Sequence, residues 1–470
     1  MLKAILSLLR YFRINDPYRL LAILVILLLM ALPALIDTPG MTTPELKSIV
    51  VGEKVREGFS PYTSIIDSTA PLTAWLHAAS HFVFGDSLTA RHIFGFFLIY
   101  LQACLLGIIF IDKKVFPEST YVPPLIFGIL CMFSFDTLAV SGELAGGFFL
   151  ILALNNVFKE LEFKEQRTEY VFNTGLCIGI ASLFVFSFSV YSIAALIILG
   201  LYSRVTPSKA LLVVVGFLLP HFLLVTIYYL NDSVPEVWRY YYLPNLDGGD
   251  SLVSFKTLII LLAIPLALLL ASLVILTRDS RFTKYQSQLV QAMFFWMAFA
   301  LLQIYISDDL RPQSLITLFP PIAFYLSHMF MMIRRRKFAE ISFWILFVGT
   351  FTGALIARYN SLDSHYGKLL IPTNEMSKSK GRKIVILGPD VAGYSGNMLA
   401  TPFFNWELSR PIFESPEYYE SQLAVYEGFR ADPPEIIFDK NNLMAPFLKR
   451  MPEIRKEYER TSDGYRRVSN

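Results

Sequence analysis

Eleven apolar runs, at 20–36, 93–112, 120–138, 143–158, 170–187, 189–203, 209–230, 256–277, 287–306, 314–333 and 339–357, constrain this chain more than any other feature. Inside hydrocarbon every backbone N–H and C=O must find a partner within its own segment, and a helix of about 17–25 residues does this while crossing the bilayer. The runs have that length or slightly less, so the sequence predicts a mainly α, polytopic membrane bundle of eleven spans. Composition agrees: 54% of the 470 residues are hydrophobic and 17% charged, which a soluble chain of this length does not carry. Lys3, Arg10, Arg13 and Arg19 precede the first run, which lacks a small-residue cleavage site and reads as an uncleaved first helix.

Orientation follows from the basic residues in the short connections. They fall in the N-terminal segment, at Lys113–Lys114, at Lys159, Lys164 and Arg167, at Arg204 and Lys209, at Arg278, Arg281 and Lys284, and at 334–337. With eleven spans all six groups share one side. The expectation is a multi-pass protein of the inner (plasma) membrane with a cytoplasmic N-terminus. The 37–90 loop, the 231–255 loop, the turn from Asp308 to Gln313 and the C-terminal tail then face outward. A net charge of +3 gives no reason to expect nucleic acid. Cys104, Cys131 and Cys177 all lie in apolar runs and read as packing residues.

After Tyr359 the apolar runs stop. Residues 1–358 therefore read as the membrane domain, with 37–90 as its first outer loop. Residues 359–470 read as a small α/β domain on the outer, periplasmic side. Lys383–Leu387 and Glu435–Asp439 have the pattern of buried strands, 416–429 is helix-compatible, and 374–383 reads as a linker. The glycine-bearing stretch 388–397 lacks nucleotide-fingerprint spacing and suits acceptor recognition or capping of a site.

The first outer loop carries the chemistry. Residues 42–56, with Leu46, Ile49, Val50 and Val55, suit an amphipathic helix at the membrane surface. Glu45 falls in its first turn, where the helix dipole favours a carboxylate. Gly58 to Tyr62 forms a turn, and Asp67 precedes Pro71, which opens the next helix; Asp67 reads either as a site carboxylate or as a capping group. His77 and His81, four residues apart, share a helix face and with Asp67 form a weak candidate for a divalent metal. Arg91, Arg239 and Arg311 lie at the expected outer boundary, where interface anchors or snorkelling residues sit. Glu143 opens a span seven residues after Asp136, either solvated in the turn or functional. The aromatic stretch after Val237 reads first as an interfacial belt.

In order, Glu45, Gly58, Pro61, Tyr62, Asp67, Pro71, Leu72, Trp75, Phe84, Gly85, Ser87 and Arg91 resemble the first outer loop of family 39 glycosyltransferases. These are polyprenyl-phosphate-sugar enzymes of GT-C fold that include protein O-mannosyltransferases and aminoarabinose transferases. The likeness extends weakly to Ser141–Ala145 and to Arg311 ahead of Phe319-Pro320-Pro321. Pro44 stands where the family has the Asp generally assigned as base, and Thr69-Ala70 replaces a Lys-Pro pair.

The resemblance implies transfer of a sugar from a polyprenyl-phosphate donor, a membrane lipid, to a glycan, lipid or protein acceptor. Glu45 is the expected base, Asp67 the second carboxylate, and Arg311 the phosphate ligand, with Arg239, Arg91, Tyr62 and Glu143 as further binding candidates. Some GT-C enzymes use a divalent cation. Two other classes stay open: a GT-C-shaped scaffold of a cell-envelope complex without catalysis, and a transporter or flippase. The latter expects repeated halves with mid-membrane ionisable groups, and the sequence has no repeat.

Overall fold

The computed structural model describes residues 8–163, 167–203, 206–246, 252–279, 282–307, 310–359, 369–371, 381–400 and 402–468. The turn residues Asp308 and Asp309, Lys164, Arg204, Arg281 and the 374–380 part of the expected linker lie outside them, as does the side chain of Arg278.

Each of the eleven apolar runs is helical. Among the described residues seven helices are long and apolar enough to cross a membrane, from Arg19–Ile36 to Arg336–Arg358. The pair Phe255–Leu261 and Ala263–Thr277, bent by 69°, makes an eighth if it forms one broken span. The run at 120–138 is shorter than expected as a helix, Val122–Cys131, followed by a 3₁₀ turn at Phe135–Leu138. A second 3₁₀ segment, Pro312–Leu318, leads into the helix Phe319–Met332.

By internal contacts the chain divides into two compact units. The first comprises residues 1–39, 87–224 and 248–368; the second comprises 40–86, 225–247 and 369–470. The 40–86 and 225–247 segments belong with residues 369–470 in one compact unit.

In the first unit, small residues let helices meet backbone to backbone. A Cβ added at Gly175 would lie 2.0 Å from the Val213 carbonyl oxygen, and one at Gly216 would lie 2.4 Å from that of Phe172. This is the close packing on which helix association in lipid depends, since apolar surface alone gives no driving force there. Polar side chains add cross-links: Gln303 donates to the Ser187 hydroxyl at 3.1 Å and accepts from the Thr317 hydroxyl at 2.8 Å. Thr317 lies in the 3₁₀ segment, so these bonds fix where that segment sits.

The second unit is built on a five-stranded sheet of order β2-β1-β3-β5-β4. Its strands are β1 Lys383–Ile386, β2 Met398–Leu399, β3 Ile436–Phe438, β4 Tyr458–Thr461 and β5 Gly464–Arg467. β1 runs parallel to β2 and β3, whereas β5 is antiparallel to both β3 and β4. Both strands expected from the sequence form, and the helix-compatible stretch becomes Tyr419–Ala431.

The helix Thr43–Arg56 packs into this unit's core. Leu46, Val50, Val51 and Val55 cluster with Ile65, Ala74, Ala78, Ile384 and Leu399. It is therefore a core helix rather than the surface-lying amphipathic helix that its sequence suggested. Its start follows from a capping box, in which Thr42 Oγ1 accepts from Glu45 N at 3.3 Å and Glu45 Oε2 accepts from Thr42 N at 3.4 Å. Further along, Lys54 is fully buried, with Nζ 2.8 Å from Glu57 and 3.3 Å from Asp432; Lys383 meets the other Asp432 oxygen at 2.6 Å.

Candidate functional site

Each unit holds one constellation. In the first, the 3₁₀ turn Phe135–Leu138 carries Asp136, and the helix that begins at Gly142 carries Glu143 in its first turn. Arg311 donates to Glu143 Oε1 through Nε at 3.2 Å and Nη2 at 2.7 Å, while the buried Glu143 Oε2 has no hydrogen-bond partner among the described residues. Two residues on, Gln313 donates to the carbonyls of Asp136 at 2.7 Å and Ala139 at 2.8 Å. Gln313 therefore ties the Asp136 turn to the segment that holds Arg311. The Ser134 hydroxyl donates to Asp136 Oδ1 at 2.6 Å.

Gly95 makes room for the same turn. A Cβ there would lie 1.9 Å from the Leu138 carbonyl oxygen, a separation no real contact tolerates. Gly95→Ala must displace the turn and is expected to cost about 1–3 kcal/mol through overpacking. Thermal unfolding of the detergent-purified protein measures this as a lowered midpoint.

The second unit holds Glu45 and Asp67, both buried. Glu45 sits at the capping box described above. Asp67 Oδ2 accepts from Thr69 N at 3.0 Å, and Asp67 Oδ1 accepts from Asn405 Nδ2 at 3.5 Å. Pro71 opens the next helix as expected, but its N-cap is Ala70 without a side-chain bond, so Asp67 turns its own loop and does not cap that helix. Tyr62 adopts φ +67°, costly for a bulky residue, and persists because its surroundings over-determine it. Its ring lies 5.6 Å from that of Tyr241 and 5.8 Å from that of Tyr228, and its hydroxyl donates to the Thr69 carbonyl at 2.7 Å. Burial among these tyrosines and beside Asp67 pushes its phenol well up.

The candidates thus separate. Arg311 and Glu143 form an ion pair in the first unit, while Glu45, Asp67 and Tyr62 lie in the second. Arg91, expected at an interface or on a phosphate, is 1% exposed and buried in the helix Leu88–Asp112. Arg239 is exposed, its guanidinium 5.5 Å from the Tyr240 ring. In the stretch read as an aromatic belt, Trp238 is exposed but Tyr240 and Tyr241 are buried in a π-helical turn. His77 is buried, and His81 Nδ1 lies 3.7 Å from Asp86. Among the described residues no three His, Cys, Asp or Glu side chains are grouped to hold a metal ion.

Sequence reasoning passed over Gln313, Asn245 and Asn405. Gln313 had a signal, a lone amide at the head of an apolar run. Asn405 precedes Trp406-Glu407 in the manner of a helix N-cap.

No family model matches the sequence, and no curated protein matches it. Solved structures do match by fold. ArnT from Cupriavidus metallidurans in the apo state aligns with a TM-score of 0.59 and 11% identity, over 91% of this chain and 94% of that one. ArnT from the same organism bound to undecaprenyl phosphate aligns with a TM-score of 0.57 and 11% identity, over 86% and 89%. The fold is that of ArnT, a GT-C glycosyltransferase fold.

Proposed function

We propose that this protein is a glycosyltransferase of the inner membrane. It takes a sugar from a polyprenyl-phosphate donor and passes it to a glycan, lipid or protein acceptor on the outer side, with the N-terminus inside and the C-terminal domain periplasmic. The observation that carries the reading is the pair of buried acids, Glu45 and Asp67, in one unit of a fold shared with an enzyme solved with undecaprenyl phosphate. In the reaction an acceptor hydroxyl or amine attacks the anomeric carbon, the bond to the phosphate oxygen breaks, and its electron pair leaves with the phosphate. Glu45 takes the acceptor proton, and inversion follows from the resemblance. Arg311 is the cation assigned to the phosphate, which must then compete with Glu143 for the guanidinium.

Glu45→Gln separates the two tasks of this side chain. Glutamine serves equally in a capping box, so the helix start survives while the basic carboxylate is lost. Sugar transfer in a membrane assay is expected to fall about 10²–10⁴-fold with folding unchanged. Transfer at the wild-type rate would remove Glu45 as base. It would favour the scaffold reading, for which Pro44 in the family's Asp position already speaks.

A further inference from the structure

We infer that Asn405, on the C-terminal domain, is a positioning residue for Asp67. The loop itself and two sequence-distant segments of the second unit grip the short stretch 66–69. From within the loop, the Tyr62 hydroxyl holds the Thr69 carbonyl at 2.7 Å. From the 225–247 segment, Asn245 Nδ2 donates to the Ser68 carbonyl at 3.0 Å and to the Tyr241 carbonyl at 2.7 Å. From the C-terminal domain, Ile66 N donates to the Pro402 carbonyl at 2.8 Å, and Asn405 N donates to the Ile66 carbonyl at 3.0 Å. Asn405 then adds the side-chain bond to Asp67 Oδ1 at 3.5 Å. Backbone pairing alone fixes the strand-like path, so the amide is not required for docking. What it contributes is a donor aimed at the carboxylate.

The aim of that donor is itself set. Asn405 is the N-cap of the helix Trp406–Glu414, and its side-chain oxygen accepts from Glu407 N at 3.1 Å and from Leu408 N at 3.5 Å. With the oxygen committed to the helix, the amide nitrogen has one direction left, toward Asp67. One planar group thus links the start of a helix in the C-terminal domain to a carboxylate of the first loop, 338 residues away in sequence. Asp67 Oδ2 is meanwhile taken by its own turn through Thr69 N. The carboxylate therefore has its plane fixed by one donor on each oxygen, one of them supplied by a different domain segment.

The cap offers a clean test, because Ser and Asp cap helices about as well as Asn. Asn405→Ser keeps the cap and replaces the reaching amide with a hydroxyl too short to meet Asp67; Asn405→Asp keeps the cap and sets a second carboxylate against Asp67. Both variants are expected to unfold within a few degrees of wild type. In a sugar-transfer assay kcat should fall about tenfold for Asn405→Ser and about a hundredfold for Asn405→Asp, with the acceptor KM unchanged. Hydrogen exchange of the full-length protein should show faster exchange in peptides covering 66–70 and none in those covering 406–414. Wild-type exchange at 66–70 in both variants, or a kcat loss that merely follows a lowered unfolding midpoint, would overturn the inference. Only the kinetic arm rests on the glycosyltransferase reading. If the wild-type protein transfers no sugar, that reading fails, and the exchange arm still decides whether Asn405 orients Asp67.

Discussion

Arg311→Ala should be among the most damaging single substitutions in the membrane-embedded unit. It removes both donors from Glu143 Oε1 and leaves a nearly buried carboxylate whose other oxygen has no hydrogen-bond partner among the described residues. Breaking one side of a buried ion pair typically costs about 3–5 kcal/mol, because the surviving charge stays desolvated. The unfolding midpoint in detergent should fall accordingly, and sugar transfer should be lost. The double variant Arg311→Met with Glu143→Leu separates structure from function. It removes both charges, so stability should return to near wild type, since well-packed apolar residues often replace a buried pair without loss. If Arg311 is the phosphate's cation, as proposed above, transfer should not return. A double variant that regained transfer would remove Arg311 from the chemistry and leave it a structural role.

The second large effect is expected at Asp432→Ala. Asp432 stands between Lys54 at 3.3 Å and Lys383 at 2.6 Å, joining the helix Thr43–Arg56 to β1 of the sheet. Its removal leaves the fully buried Lys54 ammonium beside Glu57, whose side chain is 28% exposed. The expected loss is about 3 kcal/mol, by the same desolvation argument. The loss is local to the second unit, so limited proteolysis should find new cuts within 40–86 while the apolar helices stay protected. Lys54→Met combined with Asp432→Leu should reverse most of it. Unchanged proteolysis in the single variant would show that apolar packing around Leu46, Val50 and Val55 alone secures the helix.

The apolar helices were legible because hydrocarbon leaves a helix little choice, and composition alone then marks where each one runs. The helix over 42–56 was legible from its composition, whereas the capping box between Thr42 and Glu45 that sets its start was passed over. The strands β1 and β3 were legible as short buried runs between turn residues. What the sequence concealed depends on partners far along the chain. Lys54 and Asp432 are 378 residues apart, and Arg311 and Glu143 are 168 apart. No local pattern says that a helix after the first span finishes its packing on strands near the C-terminus. Arg91 looked like an interface anchor because a charge at a helix start ordinarily reaches water. The sign that something packs closely on that helix was Gly95, one turn on, where the Leu138 carbonyl approaches.

Because the second unit draws on residues 40–86, 225–247 and 369–470, its order of assembly is dictated by translation. The ribosome delivers the first of these pieces early, yet the strands it must meet begin only at Lys383. Until then the Glu45 segment has no sheet to settle on. A premature stop before β1 would leave an inserted but incomplete protein, with Leu46, Val50 and Lys54 open to chaperones and proteases. Quality control could recognise such a product by that unsatisfied helix alone.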